Sequence, residues 1–304
     1  MGLGTAKLRT QRAPLLLAIL AVALTAVDYT IAFATDVGLR ADEAAIARGF
    51  VGPEWQQARA ATLGLVQTID ISSLAVVGAA VVGLALLRGR PRQAVWAAIV
   101  IAGANLTTQV LKPLLAQADP LGGETERALT QHFPSGHATV SMSVPLALML
   151  AVSPGWRGAA ALAAFASSAT IGIGMLLIGW HFPSDVLTGY LVAAAWAGVA
   201  AAALNSWAPA EGRATRARGS REVTAAIAAM LLVAVLVLIA FSLRQVDVSR
   251  LHLGGRFQLA FIAAAALVAL AAAAVPATLR RLLDDHPDSV AQAGTVTIGQ
   301  QRPG

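Results

Sequence analysis

Gln131-His132-Phe133-Pro134-Ser135-Gly136-His137 lies between two apolar segments and opens the second of them. Its Pro-Ser-Gly turn can gather backbone N–H groups, and Gly136 lets them come close to a ligand. A helix starting near His137 aims the positive end of its dipole into the same turn. Amides, dipole and an adjacent imidazole are what a protein uses to hold an oxyanion. A Pro-Ser-Gly turn that merely caps a helix is equally ordinary, so the rest of the chain decides its meaning.

The chain has 304 residues, of which 57% are hydrophobic and only 12% charged; its mean hydropathy is +0.68. A soluble domain carries about one quarter charged residues. The apolar residues stand in blocks long enough to cross a bilayer, so the expected fold is all-α, a polytopic membrane helical bundle. The net charge of +6 would point to nucleic acid in a soluble protein. Here the basic residues punctuate the apolar blocks and set topology instead. The sequence contains no cysteine, which excludes disulfides, iron–sulfur clusters and a thiol nucleophile. No metal-ligand spacing stands out and no cofactor is expected.

Eight spans follow from the pattern. The first, 14–35, is preceded by Lys7, Arg9 and Arg12. Ala32-Phe33-Ala34 has the small-x-small form of a signal-peptide cleavage site, but Asp28 and Tyr29 sit late in a run too long for such a peptide. Residues 36–59 read as an external loop with room for a short surface helix. The second span, 60–87, carries Asp70 deep in the apolar block, where a carboxylate either faces a polar cavity or makes an interhelical hydrogen bond. In the third span, 93–111, Asn105, Thr108, Gln109 and Lys112 share one helix face. A loop over 113–133 leads to the fourth span, 137–152, with a kink expected at Pro145. The fifth span covers 158–178. The turn Gly179-Trp180-His181-Phe182-Pro183-Ser184-Asp185 then leads into the sixth, which ends near Ala203.

Domain organisation is read as a six-span core over 1–207, a basic cytoplasmic linker over 208–222, two additional spans within 223–280 and a disordered tail over 281–304. With the N-terminus inside, Arg88, Arg90, Arg92, Arg157 and the linker arginines fall on the inner side. Lys112, the 113–136 loop and the 179–185 turn fall on the outer side, where they can meet. Trp180, Trp196 and Trp207 read as interfacial anchors. Gly172-x-Gly174 and Gly78 with Gly83 read as sites of close helix packing.

Asp185 follows His181 by four residues. If Pro183 starts the sixth helix, the carboxylate can reach back to the imidazole, fix its tautomer and raise its nucleophilicity. A second histidine, His137, can protonate a leaving oxygen, while Lys112 and the turn amides neutralise phosphoryl charge. These are the parts of phosphoryl transfer through a phosphohistidine.

Pro134-Ser135-Gly136-His137, followed by His181 and Asp185, resembles the type 2 phosphatidic acid phosphatase superfamily of membrane lipid phosphatases, over about residues 14–205. The resemblance implies that His181 is the nucleophile, Asp185 its orienting partner and His137 the acid for the leaving group. Lys112, Ser135 and Gly136 would form the phosphate cradle. It also implies metal-free chemistry on a phosphorylated lipid. Two family arginines are replaced, by Asp119 and Met175, and Gly174 stands where the family has serine. Losing charge-assisted contacts of this kind costs about 1.5–3 kcal/mol each. Arg127 in the outer loop is a candidate surrogate ligand. Otherwise the substrate carries less charge at phosphorus, as a phosphodiester does in headgroup transfer, or the site binds lipid as a non-catalytic scaffold. A transporter would use Asp70. The expected location is a bacterial inner (plasma) membrane with the site extracytoplasmic, and phosphorylated lipid is the expected partner.

Overall fold

In hydrocarbon a backbone must satisfy its own polar groups, which a helix does and an open strand does not. The computed structural model describes residues 2–46, 53–115, 133–206 and 256–284, and no strand occurs among them. Helices α1 (Gly2–Ala34), α2 (Asp36–Ala45), α3 (Pro53–Gln67), α4 (Ile71–Leu87) and α5 (Pro91–Leu115) precede the Pro-Ser-Gly turn. Helices α6 (Gly136–Ala151), α7 (Arg157–Ile178), α8 (Pro183–Ser206) and α9 (Arg256–Asp284) follow it. Five of the described helices are long and apolar enough to cross a membrane, or six if α3 and α4 form one broken span. This is an integral membrane bundle, with α6 its short, buried central helix.

Prolines within the bundle are answered by neighbours. Pro145 lies inside α6, which runs unbroken from Gly136 to Ala151. Proline removes the hydrogen bond to the carbonyl four residues earlier, here that of Ser141. The hydroxyls of Ser167 and Ser168 on α7 both donate to that carbonyl, each at 3.0 Å. The freed acceptor thereby becomes the polar seam between α6 and α7. On α5 the predicted polar face does meet α6: Asn105 donates to Ser143 at 3.2 Å, and the Thr108 and Thr139 hydroxyls stand 2.9 Å apart. The helix continues through Pro113 to Leu115, past the predicted start of the loop at 113, with Lys112 in its last turn.

The second predicted span is broken. Helices α3 and α4 are bent by 63° at residues 68–70. Asp70 caps α4: its carboxylate accepts from the Ser73 N–H at 2.6 Å, and the Ser73 hydroxyl accepts from the Asp70 N–H at 2.9 Å. Asp70 is exposed, and these bonds stay within the start of its own helix. The Asp-x-x-Ser spacing is a helix start, and it overrides the apolar run around it. A transporter reading based on Asp70 loses its support.

Helix α1 lies along α8, and Asp28 accepts from the Thr188 hydroxyl at 2.6 Å. Helix α9 packs on α7 and α8. It extends past 280 to Asp284, where the Arg157 guanidinium donates to the Leu283 carbonyl at 2.6 Å and the Asp284 carboxylate at 2.9 Å. The first four residues assigned to a disordered tail are therefore helical, held by that ion pair. At the same end Arg90 donates to the Val152 carbonyl at 3.5 Å. The seventh predicted span, the basic linker, Trp207 and the rest of the tail lie outside the described residues.

The glycine readings divide. A β-carbon on Gly172 would stand 2.2 Å from the Tyr190 hydroxyl and 2.8 Å from Val268 of α9, whereas one on Gly83 would meet nothing within 4 Å. Trp196 packs against a neighbouring helix. Its ring fills the notch at Gly103, and its indole N–H donates to Thr107 at 3.0 Å. Gly172→Ala should destabilise the protein by about 1–3 kcal/mol through overpacking, while Gly83→Ala should be neutral or slightly stabilising. Thermal unfolding in detergent of the two variants checks the contrast.

Candidate active site

The site is assembled at one end of the bundle from the last turn of α5 and the first turns of α6 and α8. The α8 start explains most of it. Phe182 precedes Pro183, whose missing N–H costs nothing at a first helical position. Asp185 is then the third residue of the helix, where an acidic side chain reaches back to the cap. Its Oδ2 accepts from the Phe182 N–H at 2.9 Å and lies 3.2 Å from Nδ1 of His181. One carboxylate oxygen thus caps the helix and steers the imidazole. His181 is 5% exposed and Asp185 1%, so this pairing is shielded from water. A proton on Nδ1, facing the carboxylate, places the ring's lone pair on Nε2.

The Pro-Ser-Gly turn docks onto this start. The Ser135 N–H donates to the backbone carbonyl of Asp185 at 2.9 Å. Gly189, one turn further along α8, allows the approach: a β-carbon there would stand 2.8 Å from the Ser135 carbonyl oxygen. Ser135 is the N-cap of α6 and accepts from the Ala138 N–H at 3.3 Å. Its hydroxyl is therefore a helix cap first. His137 follows in the first turn, half-buried, with its ring centroid 6.4 Å from that of His181 and 6.0 Å from that of Trp180.

Lys112 comes over the turn from α5. Its Nζ lies 3.8 Å, and the Gln109 amide nitrogen 3.7 Å, from where a β-carbon on Gly136 would stand. A side chain at 136 would fill that cradle. The structure thus brings together His181, Asp185, His137, Lys112, Ser135 and Gly136. Arg127, His132 and Asp119 lie outside the described residues. Met175 is fully buried in the core, and a β-carbon on Gly174 would stand 2.7 Å from Thr62 of α3. Helix α3 thus occupies the flank of α7 at this position. Among the described residues no group of three or more His, Asp or Glu side chains is gathered as metal ligands would be.

Two charged residues went unnoticed in the sequence. Asp42 of α2 is buried and accepts from the Ser184 hydroxyl at 2.6 Å and the Ser184 N–H at 3.4 Å. Its signal was its place on the buried face of α2 with Leu39 and Ala45, a carboxylate at helical spacing among apolar neighbours. Arg59 of α3 donates to the carbonyls of Leu177 at 2.6 Å and Ile178 at 3.2 Å. No local pattern announces that partner, which lies more than a hundred residues away.

Residues 71–209 match the model of the PAP2 superfamily, the superfamily anticipated from the motifs. Members are phosphatases, and the match supports a phosphatase-type enzyme. Comparison with curated proteins and with solved structures returns no match.

Asp185→Ala should leave the buried Phe182 N–H without its side-chain acceptor. The expected loss is about 1–3 kcal/mol of stability, read as a lower thermal midpoint, with Asp185→Asn losing less because its amide oxygen still accepts from Phe182.

Proposed function

We propose, for a chain whose residues 71–209 match the model of the PAP2 superfamily, that it is a membrane enzyme transferring the phosphoryl group of a phosphorylated lipid through a phosphohistidine. The observation that carries this reading is the facing pair of imidazoles, 6.4 Å between centroids, with Asp185 on one of them and Lys112 beside the intervening turn. One tetrahedral phosphoryl group reaches both rings across that gap.

The lone pair on Nε2 of His181 attacks phosphorus, and the bond from phosphorus to the lipid oxygen breaks. Protonated His137 gives its proton to the departing oxygen, a contribution worth about 10²–10⁴ in rate. Asp185 stabilises the positive charge that develops on His181. Lys112 and the amides of the turn offset charge on the phosphoryl oxygens. Water then attacks phosphorus, gives its proton to the now neutral His137, and the P–N bond breaks to release phosphate and restore His181. The substrate is a polyprenyl or glycerolipid phosphate. The site faces the extracytoplasmic side, because Arg90 and Arg157 gather at the other end of the bundle and basic loops stay inside.

A second reading is headgroup transfer from a phosphodiester lipid to an acceptor alcohol. It is favoured by the flank of α7, where Met175 and Gly174 leave no guanidinium and α3 closes the space. A diester carries one charge fewer than a monoester dianion, so Lys112 and the amides suffice. A non-catalytic lipid-binding scaffold is the reading left if neither reaction occurs.

Purified protein in detergent, offered polyprenyl phosphate, phosphatidic acid and a phosphodiester lipid without added metal, separates these. Phosphate release from a monoester should fall by about 10³ or more in His181→Ala. The loss in His137→Ala should shrink when an aryl phosphate, whose leaving oxygen needs little proton donation, replaces the lipid. Turnover only with an acceptor lipid selects the transferase. Activity unchanged in His181→Ala would end the phosphohistidine proposal.

A further inference from the structure

The turn that carries His181 joins two helix ends, and each end leaves backbone groups without intrahelical partners. At the end of α7, Gly179 adopts the left-handed conformation with φ of 75°. The Gly179 N–H donates to the Leu176 carbonyl at 3.2 Å and the Trp180 N–H to the Met175 carbonyl at 3.1 Å. That pair of bonds closes two of the last four carbonyls of α7. The other two, of Leu177 and Ile178, receive the Arg59 guanidinium. At the start of α8, the Phe182 N–H goes to Asp185, Pro183 has none, and the Ser184 N–H goes to Asp42.

Both external partners carry the charge that the helix end favours: a cation at the C-terminus of α7 and an anion at the N-terminus of α8. Both come from α2 and α3, N-terminal to the family-matched stretch. Between them lie only Gly179, Trp180, His181, Phe182 and Pro183. We infer that Asp42 and Arg59 are positioning residues, a two-sided clamp from α2 and α3 that fixes the nucleophile turn so that His181 faces His137. Neither residue needs to touch the lipid. The clamp acts through backbone groups on each side of His181, so it sets where the ring stands, while Asp185 sets which nitrogen attacks.

The inference rests on His181 being the nucleophile for its kinetic consequence and on geometry alone for its structural one. Its test reads both. Diethyl pyrocarbonate modification, mapped by mass spectrometry, reports the reactivity of His181, with His137 in the same sample as internal reference. In Asp42→Asn and Arg59→Gln the labelling rate of His181 should rise severalfold while that of His137 stays within twofold. Global loosening would raise both. Arg59→Lys, which keeps a cation at the α7 end, should restore part of the protection. Ser184→Ala removes the shorter Asp42 contact without altering charge, and it should raise His181 labelling in the same direction.

On whichever lipid the wild type turns over, Asp42→Asn should lower kcat by about tenfold or more through misplacement of the nucleophile, with KM nearly unchanged. His181 labelling in Asp42→Asn, Arg59→Gln and Ser184→Ala indistinguishable from wild type would overturn the clamp, as would parallel increases at His137. A wild type that turns over no lipid while the labelling pattern holds would sink the enzymatic reading and leave the clamp standing.

Discussion

Asp185 is the residue through which the two halves of the site are joined. Its side-chain oxygen holds the Phe182 N–H and the His181 ring, and its backbone carbonyl receives the Ser135 N–H. The first two contacts fix the proposed nucleophile relative to α8. The third fixes the α6 turn, and with it His137, relative to the same helix. Distance between the imidazoles is therefore set within one short network and depends little on the long helices behind it. Gly189 is the steric condition for that network, since any side chain there would push the Ser135 carbonyl away.

Polar groups inside this bundle serve backbone satisfaction before anything else. Pro145 leaves the Ser141 carbonyl open, and two serines of α7 close it. Asp70 and Ser73 close the start of α4 where the second span breaks. The Tyr190 hydroxyl donates to the Ser168 carbonyl. In a medium without water each such closure matters more than it would in a soluble core. His181 and His137 stand apart, because no helix end requires those residue types at those places. That contrast makes them chemical rather than structural candidates.

Much of the site was legible because its signals are local. His181 to Asp185 is one helical turn, Pro134 to His137 is one turn and cap, and Asn105 to Lys112 is one helix face. Local spacing is dictated by helix geometry, so the sequence carries it directly. The all-helical bundle of long apolar helices was legible for the same reason. What escaped depends on contacts between distant segments. Asp42 reaches Ser184 and Arg59 reaches Leu177 across more than a hundred residues, and no periodicity records such a pairing. The break at 68–70 escaped for a different reason: a capping signal inside an apolar run was weighed as a buried carboxylate. The fit of the Trp196 ring against Gly103 is likewise a contact between distant segments.

The C-terminal helix α9 lies beyond the family-matched stretch, and its packing shows how such an addition reaches the site without entering it. At the basic end Arg157 of α7 is tied to Leu283 and Asp284. At the site end Phe261 joins Trp55 and Ala58 of α3 in one apolar cluster with Leu177. The carbonyl of that same Leu177 is held by Arg59, one residue after Ala58 on α3. Helix α9 thus braces α7 at both ends and presses on the helix that carries Arg59. Apolar packing is non-directional and cannot itself orient an imidazole. It can hold α3 where a directional guanidinium bond does so. The added helix and the N-terminal clamp therefore form one support, and the position of His181 depends on segments that no motif of the site includes.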